Sequence, residues 1–199
     1  YLSGYSSGLL EYDLSTAWDI ATASYLQSLS VSAQTLGPMG IFFRSDGIKM
    51  YVVDLFGTRV LEYDLSTAWD ISTASFLQSF SVSSQETVPL GLFFKNDGTK
   101  MYVCGSVNDS VYEYDLSTAW NLSTASFLQS YSVSAQESQP LDLFFKPDGT
   151  KMYVVGATVD DVNEYDLSTA WDVSTASYAQ NFLVYGQENQ PTGIYFKPD

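Results

Sequence analysis

The chain has 199 residues, 45% hydrophobic and 16% aromatic, and carries a net charge of −15 from 23 acidic and 8 basic side chains. That is enough apolar material to bury a substantial core, and the negative field repels phosphate backbones and anionic lipid, which argues against nucleic acid as a partner. Histidine is absent, which removes Ser-His-Asp and Cys-His nucleophile systems, the usual histidine general base and histidine-ligated zinc or copper.

The chain opens on a short strand, Tyr1-Leu2-Ser3, and after a polar loop reaches Glu11-Tyr12-Asp13-Leu14-Ser15-Thr16-Ala17-Trp18. The same eight residues return at 62–69, 113–120 and 164–171, each copy 51 residues after the last. A fixed period of this length marks a repeat architecture, in which each unit buries its apolar faces against its neighbours. The Glu-Tyr-Asp-Leu half is predicted as a strand. Ser-Thr-Ala-Trp begins a polar connection of residues that bond their own backbone, suited to one helical turn. The repeated aspartate (Asp13, Asp64, Asp115, Asp166) is expected to cap that turn. The tryptophan (Trp18, Trp69, Trp120, Trp171) is expected to pack against a neighbouring unit rather than to stack on a sugar. The next strand is clearest as Phe76 to Val82, whose mixed polarity fits an outer strand with one wet face. A Gln-x-x-x-Pro tail, Gln136 to Pro140 in the third instance, leads to the apolar run Leu141-Asp142-Leu143-Phe144-Phe145, predicted as a strand covered on both faces. Pro147-Asp148-Gly149 ends it in a tight turn, with Ser45-Asp46-Gly47 and Asn96-Asp97-Gly98 as equivalents. Lys151 to Val155 is the following strand. The lone cysteine, Cys104, matches Val53 and Val155 and reads as a buried apolar stand-in. No apolar run approaches the ~18 residues of a membrane span.

Four short antiparallel strands per unit predict an all-β fold, a β-propeller of four-stranded antiparallel blades with four blade-equivalents in this chain. Blade 1 is expected to take residues 1–35 and to be completed by 189–199; blades 2, 3 and 4 take 36–86, 87–137 and 138–188. Pro89-Leu90-Gly91-Leu92-Phe93-Phe94-Lys95-Asn96-Asp97-Gly98-Thr99-Lys100-Met101-Tyr102-Val103 resembles the repeat of YVTN-type and NHL/WD40-like β-propellers. In those families an apolar strand, a Pro-Asp-Gly-like turn and a Lys-x-Tyr-Val strand open each blade. The resemblance covers essentially the whole chain. It implies the fold and leaves function open, since propellers serve as enzymes, scaffolds and lectins alike. Near-identical arrays of this look resemble proteins of marine bacteria and their phages, which implies an extracellular, virion-surface or cell-surface setting. Four blades alone would pack at steep angles. Closure is therefore expected either within a longer chain or in a homodimer with an eight-bladed ring, residues 191–199 pairing with strand 1–3 of the partner.

Comparison of the copies locates the expected function. The connections between second and third strands, and those leading into the next blade, vary most, and in an up-and-down blade both emerge on one side. Loops on a rigid scaffold are where binding sits, so this face is the predicted ligand surface. Tyr5, Phe56 and Arg59 are its expected anchors. Asn108, Asp109, Asp160, Asp161, Glu86, Glu137 and Glu188 supply acceptors for sugar hydroxyls or a cation. Asp142 stands where other copies have Gly40, Gly91 and Gly193, and places a carboxylate near the axis; alone it is a poor metal site. The expected function is non-enzymatic recognition of a protein or carbohydrate, without membrane insertion. No cofactor is predicted, and calcium is the one ion the acidic residues leave open. The alternatives are a metal-assisted hydrolase or lactonase, and a purely structural module of a larger surface or virion protein.

Overall fold

A computed structural model of the chain describes residues 1–4 and 8–197. Among the described residues, fifteen strands form four antiparallel sheets, each ordered as its strands follow in the chain. The first sheet holds β1 (Leu2–Gly4), β2 (Gly8–Leu14) and β3 (Ala23–Leu29). The second holds β4 (Pro38–Phe43), β5 (Lys49–Asp54), β6 (Arg59–Leu65) and β7 (Ala74–Ser81). The third holds β8 (Pro89–Phe94), β9 (Lys100–Gly105), β10 (Ser110–Leu116) and β11 (Ala125–Ser132). The fourth holds β12 (Pro140–Phe145), β13 (Lys151–Gly156), β14 (Asp161–Leu167) and β15 (Ala176–Leu183). The chain is thus an all-β propeller with four blade-equivalents.

The apolar runs become the innermost strands, and β8 is buried along its whole length. β4, β8 and β12 lie side by side at the axis. Glycine permits the approach: a Cβ on Gly91 would stand 2.7 Å from the Asp142 Cα. Each inner strand turns back through an Asp-Gly pair. In blade 3 the Asp97 carboxylate accepts the Thr99 amide at 3.0 Å, and Gly98 takes φ +74°, a conformation glycine reaches without a Cβ penalty.

The exit turn departs from the sequence reading in one respect. Asp64, Asp115 and Asp166 do not cap it; they receive Lys49, Lys100 and Lys151 across the sheet, Asp64 at 2.7 Å. The capping residue is the one after the tryptophan. Asp70 Oδ1 accepts the Ser72 amide at 3.0 Å and starts a short 3-10 turn over Ile71–Thr73. Asp19, Asn121 and Asp172 do the same in the other copies. The strand aspartate faces the lysine because Lys49 and Asp64 are register partners across β5 and β6; a bulge between the third and fourth strands falls at Glu62/Tyr63 and its equivalents. The bulge changes the register, so that Glu62 and Gln78 stand together and point into the next blade.

The internal seams repeat one set of contacts. The Tyr51 hydroxyl donates to the Trp120 carbonyl at 2.7 Å, and Tyr102 to that of Trp171 at 2.6 Å. The Tyr1 hydroxyl meets the Trp69 carbonyl in the same way. The tryptophan ring lies across two blades: Trp120 stacks on Phe94 of its own blade at 5.6 Å and on Phe42 of the preceding one at 6.3 Å. Glu11, Glu62 and Glu113 accept the amides of Ile71, Leu122 and Val173 at 3.0–3.1 Å. Those three side chains are fully buried, and each contributes about 1.5–3 kcal/mol by leaving water. Gln27, Gln78 and Gln129 bridge each glutamate to the cap of the next turn.

The last segment stands apart from the sheets. Residues 191–197 form no strand, and the first sheet has three strands among the described residues. The segment continues past β12 instead, with the Ile194 amide bonded to Asp142 at 3.0 Å and Phe196 against Tyr153.

Candidate binding face

The variable loops gather on one side, as their cross-contacts show. Asn108 in the β9–β10 loop donates its side-chain amide to the Gln85 carbonyl at 2.9 Å, and Arg59 reaches the Gln34 carbonyl at 2.7 Å. Ser138 and Thr158 hydroxyls lie 3.0 Å apart. The residue before each third strand, Thr58, Asp109 or Asp160, sits at φ 46–54°. Asp and Asn tolerate that region best among residues with a side chain.

Many of the predicted acceptors are committed to holding these loops. Glu86 is fully buried and accepts the Val88 amide at 2.8 Å and the Asn108 amide at 3.4 Å. Glu137 is likewise buried and receives Gln139 and Thr158. Blade 2 solves the same problem from the other strand. There Thr35 replaces the glutamate, and Asp54 supplies the carboxylate, accepting Thr35 Oγ1 at 2.6 Å, the Gly57 amide at 3.0 Å and Arg59 at 2.8 Å. Where the carboxylate comes from Glu86 or Glu137, the strand position opposite is Gly105 or Gly156, and a Cβ there would stand 2.4–2.5 Å from the glutamate side chain. Asp161 is buried against Asn163 and Asn181. Glu188 is exposed and holds the Gln190 amide. Tyr5 lies outside the described residues.

What the face offers to solvent is more apolar than expected. Phe56 is 66% exposed, its ring lying against Gly37, and Leu36 beside it is 69% exposed. Val107 and Val159 stand out at the tips of the next two loops. Asn108 is exposed, Asp109 and Asp160 are half-buried, and the Asp160 Oδ1 is buried without a hydrogen-bond partner among the described residues. Leu36, Val107 and Val159 were not singled out by the sequence reading. Their signal was an apolar side chain inside a loop that is otherwise polar.

Asp142 lies on β12 near the axis, enclosed by neighbouring inner strands. Burial raises its carboxyl from an ordinary 3.8 to about 6, against the bonds from the Ile194 and Leu143 amides that favour the charged form. An acid whose folded value is raised binds its proton more tightly in the folded chain. Its contribution is therefore fully present below pH 3.8 and is lost as pH rises through about 6. Asp142→Asn, which keeps an acceptor for Ile194, is expected to stabilise the chain at pH 8 by about 1–2 kcal/mol after allowing for solvent screening. The gain should vanish near pH 3.5, and melting curves at the two pH values check it. No group of three Cys, Asp or Glu side chains placed to hold a metal ion occurs among the described residues. No helix among them is long and apolar enough to cross a membrane.

No protein-family model matches the chain, and no curated protein matches it in sequence. Solved structures do. A protein of Bacteroides fragilis proposed to be a 6-phosphogluconolactonase superposes with a TM-score of 0.60 at 14% identity, over 90% of this chain and 46% of that one. The periplasmic gluconolactonase of Pseudomonas aeruginosa gives 0.52 at 16% identity, over 80% and 41%. The β-propeller domain of Cps50 (Swd1) from Myceliophteria thermophila gives 0.54 at 10% identity, over 96% and 56%. The chain thus spans about half the length of these structures, and the likeness is one of fold.

Proposed function

We propose that the chain is a non-catalytic recognition propeller that works outside the cell or on a virion or cell surface, and that the face carrying Leu36, Phe56, Val107 and Val159 takes a protein or carbohydrate partner. The observation that supports this reading is the set of exposed apolar tips on the one face where the copies differ. Apolar side chains gathered on one face mark interaction surfaces. Asn108, Asp109 and Asp160 lie between the tips and add hydrogen-bond acceptors. With a chain charge of −15, a neutral or basic partner surface is favoured over an acidic one.

Leu36→Ser combined with Phe56→Ser is expected to weaken partner or glycan binding at least tenfold while the fold is retained. Ile48→Ser, on the opposite face, should leave binding unchanged. Arrays of glycans and of envelope proteins titrated by interferometry provide the measurement, and the reverse result would place the site on the Asp-Gly-turn face. The lactonase names among the structural neighbours favour a second reading, ring-opening of a sugar lactone, with Asp142 as its one carboxylate near the axis. Turnover of gluconolactone that disappears in Asp142→Asn would establish it.

A further inference from the structure

The two ends of the blade series expose the two halves of one more seam. At the internal seams a tyrosine reaches a tryptophan carbonyl 69 residues on, or 68 from Tyr1, a glutamate accepts an amide 60 residues on, and a glutamine reaches a cap 43 residues on. The last blade presents Tyr153, Glu164 and Gln180 around an open cleft of about 480 Å³, walled by Val162, Phe182 and Phe196. This is the equivalent of the seat that Leu122 and Val173 fill at the internal seams. The first blade presents the matching half. Ile20 is 87% exposed, whereas its counterparts Ile71, Leu122 and Val173 are fully buried. Asp19 already caps its own 3-10 turn, and Trp18 is exposed. Counted on at the repeat spacing, Tyr153, Glu164 and Gln180 call for a tryptophan carbonyl, an amide of an apolar residue and a capping side chain. Trp18, Ile20 and Asp19 of another copy are those groups.

A second register agrees. Glu86 and Glu137 each need a glycine at the fourth residue of the Tyr-starting strand stretch, Gly105 and Gly156, whereas Thr35 goes with Asp54. Glu188 is exposed, and the matching residue counted from Tyr1 is Gly4. The end of the chain and its beginning therefore carry the glutamate–glycine pairing, not the threonine–aspartate one. Within one chain the two ends approach each other where Lys197 Nζ lies 5.8 Å over the Trp18 ring. Ile20 and the Glu164 cleft stay open, and 191–197 and β1 share no ladder among the described residues.

We propose that a second copy of this chain fills both seams head to tail, giving a closed ring of eight blades. Residues 191–197 of each copy then become the inner strand of the other's first blade. The contact is heterologous in form, yet two copies close it, so no edge remains for further addition.

Light scattering and sedimentation of the 199-residue chain test this. The expected mass is twice 22.0 kDa. Ile20→Asp and Gln180→Arg alter one half-seam each, at side chains exposed in the single chain, so each should give the single-chain mass with an unchanged far-UV spectrum. An equimolar mixture of the two should recover part of the two-chain species, because a mixed pair retains one intact seam. A wild type of single-chain mass at all concentrations overturns the proposal. So does a two-chain species that neither substitution weakens, and so does an open ladder of larger assemblies.

Discussion

Glu113→Ala should unfold the chain at a far lower temperature than any exposed carboxylate substitution. Glu113 is fully buried and serves three partners at once: Lys100 of its own blade, the Gln129 amide at 2.9 Å and the Val173 backbone amide at 3.0 Å across the seam. Alanine leaves a partly buried ammonium without its nearer counter-ion and a buried amide without an acceptor. Removing one member of such a buried network typically costs about 3–5 kcal/mol. For a chain of this size that corresponds to a melting shift of roughly 6–20 °C. Glu113→Gln keeps an acceptor for Val173 and loses only the charge, so it should recover about half of the stability. Glu164→Ala is the matched control, because the seam beyond it is open in a single chain. Its cost under dilute conditions should stay near 1 kcal/mol. Calorimetry of the three variants decides the matter, and equal losses for Glu113→Ala and Glu164→Ala would show that the cross-seam bond contributes nothing.

The same residue shows what could and could not be read from the letters. The repeat period, the Asp-Gly turns and the apolar inner strands are local signals, and strand order followed from them. Glu113 was legible only as a residue present in every copy. Its acceptor role spans 60 positions and depends on a bulge at Glu113/Tyr114, which no local pattern announces. The cap was misplaced for a related reason. Asp64 and Asp70 both lie near the Ser/Thr-rich turn, and only the register across the sheet gives the first to Lys49 and leaves the second to the turn. Loop variation at Glu86 and Glu137 resembles a ligand signal, yet much of it is compensation. A visible clue existed in the paired columns: glutamate at 86 and 137 goes with glycine at 105 and 156, and threonine at 35 goes with aspartate at 54. Such exchange within one sequence marks a contact, because a carboxylate delivered from one strand needs empty space on the other. Phe56 is matched to Gly37 in the same way, since a Cβ there would stand 2.9 Å from its ring, so the binding reading rests on the exposure of Leu36, Phe56, Val107 and Val159 and not on their variation.

Gly98→Ala is expected to be the most damaging single-methyl change in the protein. Two independent effects act there. The residue sits at φ +74°, where an alanine costs about 1–2 kcal/mol relative to glycine. Its Cβ would also stand 2.3–2.4 Å from the Trp120 ring, so the ring must move. Trp120 has little freedom to do so. It holds φ 66° itself, its amide donates to the Gly98 carbonyl at 3.0 Å, and its ring is stacked on Phe94 and Phe42. A left-handed tryptophan is a strained residue that survives because its surroundings fix it. Pushing its ring outward therefore loosens the aromatic stack and the cross-blade bond from Tyr51 to the Trp120 carbonyl. Displacing a packed ring adds about 1–3 kcal/mol, for a total of roughly 2–5 kcal/mol. Gly47→Ala and Gly149→Ala meet Trp69 and Trp171 in the same geometry and should behave alike, with Gly47 the milder because Trp69 is partly exposed. Gly186→Ala, whose Cβ would meet nothing within 4 Å, should change stability by less than about 0.5 kcal/mol. Denaturant melts of the four variants separate these cases. A Gly98→Ala protein as stable as Gly186→Ala would mean that the tryptophan lid on the turn moves aside at no cost.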